Sequence, residues 1–277
     1  MEEYNTPCGL GALFSAKDIR DYRLATVASD FPKEFELPMP EVKNQGNVGS
    51  CVARSLAIVI EFYNKKQHNQ YIPMSVGYIY GNRASSLHKG SGMITRDAIK
   101  DVCLEGDVIH SLFPVNKEVP DILELVKQNK EELAPKAEPY RFTAYVKVET
   151  EEEIKTALMN GYPIVFAMQW KKQAKVKDGV LTFGSDEKSG GHCMVIYGWD
   201  ERGWKFQNSW GKSWGEGGRA ILPYDMKIRE AYSIIDELVG DIEIIKPHNN
   251  AGLLEKLFVK IVNYINFWIN QIKYRNK

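Results

Sequence analysis

An α+β fold in two halves is predicted, helical in the first half and strand-rich in the second, with a cleft between them. Two observations carry this prediction. From Ser50 to about Lys130 the apolar residues recur at helical spacing. From Tyr162 onward they fall in short strand-like runs bounded by Gly, Asn, Asp and Ser. The chain has 277 residues with 44% hydrophobic content, enough to bury a core.

The elements follow in order. Residues 1–40 are irregular, with Pro7, Pro32, Pro38 and Pro40, and read as an extended arm lying on a domain. From Ser50, a reasonable N-cap, Val52, Leu56, Val59, Ile60 and Tyr63 form one apolar face of a helix. A second helix is expected over Ile94–Leu104, after the loop HKGSG, with Gly106 placed to stop it. A third, short helix fits Pro120–Lys130, and Pro135 to Pro139 punctuate the chain. Thr150 followed by Glu151–Glu153 starts a further helix, because acids in a first turn are favoured by the helix dipole. That helix ends near Asn160-Gly161. Strands are expected at Tyr162–Met168, Val180–Phe183, His192–Trp199, Trp204–Gln207, Arg219–Leu222 and Ala231–Ile235.

The boundaries are therefore an arm over 1–40, a body over 41–240 and a tail over 241–277. The body divides into a left half at about 41–135 and a right half at about 136–240. In the tail, Leu254, Leu257, Phe258, Ile261, Ile265, Trp268, Ile269 and Ile272 make a wide apolar stripe, with lysines elsewhere. No uncharged run there reaches membrane-spanning length. This amphipathic helix, Leu253–Lys273, fits docking on the body, on a second subunit or on a membrane surface.

Charge and cysteine content exclude several classes. Lys plus Arg and Asp plus Glu each total 36, so nucleic acid is not an expected partner. Cys8, Cys51, Cys103 and Cys193 form no CxxC pair, so a zinc site is not expected, nor is any other cofactor. Few cysteines in a long chain and an acidic N-terminus without an apolar run fit a reducing, cytoplasmic setting.

Some residues occupy positions suited to chemistry. Cys51 stands at the mouth of a helix after QGNVGS, where unpaired N–H groups and the dipole favour a thiolate. A buried structural cysteine would look the same. His192 opens an apolar strand after two glycines, Gly190 and Gly191, and is placed to take a thiol proton. Asn208, in a Trp-rich turn, has an amide able to orient an imidazole, and Trp210 is placed to screen that bond from water. Gln45, shortly before Cys51, offers an N–H to an oxyanion. His68, His88, His110 and His248 have no comparable setting.

Taken together, QGNVGSC at 45–51, GGHCMVIYGW at 190–199 and NSWGKSWGEGG at 208–218 resemble the papain family of cysteine peptidases. DIRDYR, YIYGNRA and the Gly-rich loop before Ile94 resemble its bacterial branch, which lacks a long propeptide. The resemblance spans roughly residues 15–238. It implies a papain-like two-subdomain fold with a helical left half, a barrel-like antiparallel right half and the active-site cleft between them. It implies an endopeptidase acting on protein or peptide substrates through a Cys51 thioester. His192 would be base and then acid, Asn208 its orienting partner, Gln45 an oxyanion donor and Trp210 a shield. Gly92, Met93, Gly191 and Trp210 would line the substrate site, and Met93 suggests a medium hydrophobic residue there. Two departures stand out. Val48 replaces the cysteine that pairs beside the nucleophile in the family, and Val52 replaces a bulky aromatic. On this resemblance the family's inhibitory N-terminal domain is expected to be absent or much shortened, with the 1–40 arm placed to do part of its work. Ligation or transpeptidation, isopeptide cleavage, and a non-catalytic binding module on the same fold are the alternatives.

Overall fold

The computed structural model describes residues 9–18, 21–24 and 30–236, and the backbone of Ile244–Ile245. The described residues belong to one compact unit that extends to Ile245. The expected tail helix lies outside the described residues. Among the described residues, no helix is long and apolar enough to cross a membrane.

Three short strands lie in the arm: β1 (Ala12–Leu13), β2 (Arg23–Leu24) and β3 (Phe35–Glu36). Helices α1 (Cys51–His68) and α2 (Val76–Gly81) follow, then β4 (Met93–Ile94), α3 (Thr95–Glu105) and α4 (Asp121–Ala137). The second half holds β5 (Ala144–Lys147), α5 (Glu151–Met159), β6 (Ile164–Lys171), β7 (Ala174–Lys177), β8 (Val180–Phe183) and β9 (Lys188–Asp200). It closes with β10 (Gly203–Gln207), β11 (Arg219–Pro223), β12 (Glu230–Ile235) and β13 (Ile244–Ile245). Helices first and strands later is the α+β arrangement that the sequence predicts.

Helix α1 is the axle of the first half. Its predicted face, Val52, Leu56, Val59, Ile60 and Tyr63, is buried, and so are residues on its other sides. Full burial of Leu56 alone stabilises by roughly 2 kcal/mol relative to exposure. Helix α1 stops at Asn69, which adopts the left-handed conformation at φ 54°. Tyr63 Oη donates to the Ile234 carbonyl at 2.6 Å and so ties α1 to β12 in the second half. Helix α5 begins with a reciprocal capping box. Thr150 Oγ1 accepts from Glu153 N–H, and the Glu153 carboxylate accepts from Thr150 N–H.

Two sequence expectations change in the helices. Helix α4 runs on to Ala137 through Pro135, because a proline in the last turn removes a single backbone bond rather than breaking the helix. Helix α2, missed in the sequence, is only six residues long and carries glycine at its second position and its end. Those glycines serve close packing. A Cβ on Gly77 would lie 1.8 Å from the Val115 carbonyl oxygen.

The main sheet has 11 strands in the order β13-β2-β5-β12-β6-β9-β10-β11-β8-β7, with β3 pairing to β9. It is mostly antiparallel and follows an open path, so the barrel-like right half does not close. The arm is less irregular than its prolines suggest, since β2 and β3 extend this sheet through β5 and β9. Strands β6 and β9 are its centre, paired from Ile164↔Ile196 to Lys171↔Lys188. This register sets His192 opposite Met168 and Trp170 opposite Gly190.

Candidate active site

The turn before α1 delivers Cys51. Gly46 adopts φ 65°, and its N–H donates to Asn44 Oδ1 at 2.9 Å, which folds the chain back. Ser50 holds the N-cap position, but its side chain makes no cap, which corrects the expected role. Its hydroxyl contacts Asn116 Oδ1 instead, at 3.4 Å. The first-turn donors are thereby left for the sulfur. Backbone N–H groups of Cys193, Gly11, Val52 and Cys51 itself all act to lower the thiol pKa. Burial outweighs them and pushes the Cys51 thiol up to about 11.

His192, on β9, is fully buried. Its Nε2 lies 2.8 Å from Asn208 Oδ1. Asn208 Oδ1 also accepts from the Ser209 N–H at 2.7 Å, and a backbone N–H can only donate. The amide orientation is thus fixed, and Nε2 must carry the proton. Nδ1 is left with the lone pair and has no hydrogen-bond partner. It belongs to the residue just before Cys193, whose N–H bonds the Cys51 sulfur.

Trp210 stacks on His192 with ring centres 4.6 Å apart at 22°. Trp170 meets both rings edge-on, at 5.2 Å to His192 and 5.0 Å to Trp210. Trp214 meets Trp210 edge-on at 5.8 Å. This wall removes water from the His192–Asn208 bond. Burial lowers the His192 pKa to about 4 against the raising effect of the Asn208 bond.

Gln45 is stitched to the same turn. Its N–H donates to the Ser209 carbonyl at 2.8 Å, and its Oε1 accepts from Ser209 Oγ. That leaves Nε2 as its outward donor, and Nε2 donates to the Gly9 carbonyl at 2.7 Å and the Val48 carbonyl at 2.9 Å. Gln45, Cys51, His192 and Asn208, widely separated in sequence, are therefore brought together.

Residues 9–15 run through this site as a strap. The Gly9 carbonyl rests on Gln45, and Gly11 offers its N–H to the Cys51 sulfur. The Gly11 carbonyl accepts from Met93 N–H at 2.8 Å, and β1 then pairs with β4 in parallel. Glycines clear the groove. A Cβ on Gly191 would lie 1.9 Å from the Ala12 carbonyl oxygen, and one on Gly92 would lie 2.4 Å from the Gly11 carbonyl oxygen. Gly92, Met93 and Gly191 all touch the strap. Trp210 backs His192.

Sequence reasoning missed several parts of this site. Trp170 gave no signal, standing between Gln169 and Lys171 just past the apolar run Tyr162–Met168. Glu118 accepts from Gly49 N–H, from Tyr80 Oη at 2.8 Å and from Ser91 Oγ at 3.2 Å, and so joins the Cys51 turn to the Gly92 wall. Burial acts to raise the Glu118 pKa, but these bonds overcome it and hold the carboxyl below its ordinary range.

A family model described as papain family cysteine protease matches residues 29–234. An uncharacterised peptidase C1-like protein of Acanthamoeba polyphaga mimivirus is 29% identical over 72% of this chain and 70% of its own length. A cysteine proteinase of Theileria parva is 27% identical over 73% of this chain, which spans 45% of that relative. Among solved structures, xylellain, a cysteine protease from Xylella fastidiosa, superposes with a TM-score of 0.71 at 25% identity. The superposition covers 86% of this chain and 99% of that one.

Proposed function

This chain belongs to the papain family of cysteine proteases and is a cysteine peptidase, and from that premise we propose that it is an endopeptidase working through a Cys51 thioester. The observation that carries this reading is the fixed tautomer of His192. With Nε2–H held by Asn208, Nδ1 is the one basic nitrogen free to take the Cys51 proton.

The steps follow from the groups present. Proton transfer from Cys51 to His192 gives a thiolate and an imidazolium. The thiolate attacks the substrate carbonyl, and the oxyanion settles between Gln45 Nε2 and the Cys51 N–H. The Gly9 carbonyl already rests on that Gln45 donor, so it stands where a substrate carbonyl would. His192 then protonates the leaving amine and activates a water to release the acyl group. In the same reading, residues 9–15 restrain the enzyme until the strap leaves the groove.

The test is labelling followed by product analysis. A peptidyl epoxide should add once, on Cys51, and leave Cys103 and Cys193 unmodified by peptide mapping. Peptide substrates should yield free amine and free carboxylate ends, even with an added amine acceptor. A folded protein that neither labels at Cys51 nor cleaves any peptide rejects the reading. Gln45→Ala should retain labelling but lower kcat by about 10²–10³-fold, the usual cost of one oxyanion donor.

A further inference from the structure

Next to the Cys51 turn stands a carboxylate that the reaction does not use. Glu118 is half-buried and accepts from four uncharged donors. Its Oε1 accepts from Gly49 N–H, in the turn that delivers Cys51. Its Oε2 accepts from Tyr80 Oη at 2.8 Å, Ser91 Oγ at 3.2 Å and Val119 N–H at 3.3 Å. The Tyr80 hydroxyl is also an acceptor, because Gly92 N–H donates to it at 3.0 Å. A backbone N–H can only donate, so the Tyr80 proton must point to Glu118. The carboxylate thus reaches Gly92 through one fully buried tyrosine on α2.

The two stretches that it joins lie against each other. A Cβ on Gly49 would stand 3.0 Å from Ser91 Oγ, 3.1 Å from Glu118 Oε1 and 3.4 Å from Gly92 N. Arg83, which feels the Glu118 charge, spends its N–H groups on the Tyr80 carbonyl at 2.8 Å and the Gly90 carbonyl at 2.6 Å. Tyr80 is therefore tied to residues 90–92 by its backbone as well as its hydroxyl. A half-buried carboxylate gives up part of its hydration. Here that hydration is replaced by directional bonds to neutral groups from separate segments of the chain. Such bonds are strong because the acceptor is ionised, and they fix positions.

We infer that Glu118 is a positioning residue: acting through Tyr80, it sets where the Met93 N–H stands relative to the Cys51 turn, and so where the substrate backbone is gripped. This rests on the peptidase reading above. Met93 follows Gly92 directly, and its N–H donates to the strap's Gly11 carbonyl at 2.8 Å. The N–H of the same Gly11 reaches the Cys51 sulfur. One extended chain therefore touches both the Met93 donor and the nucleophile. A substrate in its place gives one carbonyl to Met93 N–H and another to Cys51, and covalent geometry fixes the reach between them. The donor and the sulfur must be held at the matching spacing, since a misplacement of about 1 Å costs about 10²-fold. Glu118 is bonded to both sides, at Gly49 before Cys51 and, by way of Tyr80, at Gly92 before Met93.

The test uses the full chain carrying Gly11→Ala, a change that displaces the strap because a Cβ there would lie 1.8 Å from the Gly49 carbonyl oxygen. To it is added either Tyr80→Phe, which removes only the relaying hydroxyl, or Glu118→Gln, which sets an amide NH₂ against the donors. A peptide substrate is compared with analogues in which each backbone amide before the scissile bond is replaced in turn by a trans-alkene, which keeps shape and removes the acceptor. It is also compared with p-nitrophenyl acetate, which carries only the carbonyl that is attacked. With Tyr80 and Glu118 intact, one replacement should lower kcat/KM by about 3- to 10-fold, the loss of one hydrogen bond. In either variant the unmodified peptide should lose about tenfold or more, while p-nitrophenyl acetate turnover stays within about twofold. The same amide replacement should then cost nothing further. A replacement penalty that survives in both variants, peptide turnover unchanged by both, or an equal loss on p-nitrophenyl acetate overturns this inference and leaves the peptidase reading standing. Absence of both cleavage and Cys51 labelling in the Gly11→Ala chain overturns the two together.

Discussion

Cys51→Ala is expected to lower kcat/KM for peptide hydrolysis by on the order of 10⁴-fold or more. His192→Gln should be as severe, and the double variant no worse than either. The reason is that the two groups act as one unit: a thiol without its base and a base without its thiol each stop the same step. Folding should survive. Cys51 is fully buried, but losing one sulfur atom costs about 1 kcal/mol, well within what a domain of this size tolerates. Urea unfolding of Cys51→Ala should therefore stay close to the parent while turnover vanishes. Asn208→Ala should fall between, because it frees the imidazole to take either tautomer while leaving the base in place. Turnover by Cys51→Ala at the parent rate would exclude the thioester route.

Cys51, His192 and Asn208 were legible in the sequence because each is embedded in glycine- and tryptophan-rich context that ordinary core does not need. Their partners were legible only where they shared that context. Trp210 follows Asn208 closely and was read. Trp170 sits between Gln169 and Lys171 at the end of β6, and only the pairing of β6 with β9 brings it against His192. Glu118 was silent for a related reason. A carboxylate is read as solvated surface unless pairing and burial are known, and those depend on contacts far apart in the chain. The helix start at Thr150 was readable because its signal is local. The strap was not, because GLGALF becomes a strand only when Met93 supplies its partner. An irregular, proline-flanked stretch therefore concealed the segment that covers the site.

Gly11→Ala is expected to speed both peptide hydrolysis and alkylation of Cys51, an unusual outcome for a substitution inside an active site. Gly11 faces the Gly49 carbonyl so closely that an added Cβ would lie 1.8 Å from it, and the opposing atom is backbone in a turn pinned by Glu118. The strap must lift. Under the strap the Cys51 thiol is held at about 11, so about one molecule in 10⁴ carries thiolate at pH 7. A thiol paired with imidazolium ordinarily falls to about 3.5–7.5. The thiolate fraction then rises about 10³–10⁴-fold, while intrinsic nucleophilicity falls by about 0.4–0.5 log units per unit of pKa. The balance is a rise of roughly two- to a hundredfold in the iodoacetamide rate. The same groups set a pH dependence for the covered state. His192, near 4 under the strap against an ordinary 6.5, binds a proton more readily once hydrated, so falling pH from about 6.5 to about 4 favours opening. Cys51, near 11 under the strap, loses its proton more readily in the opened site, so rising pH up to about 11 also favours opening. Slow alkylation in the parent should therefore accelerate on both sides of neutrality beyond the reagent's own pH dependence, and Gly11→Ala should flatten that profile. A parent and variant with the same rate and the same profile would show that residues 9–15 do not control access to Cys51.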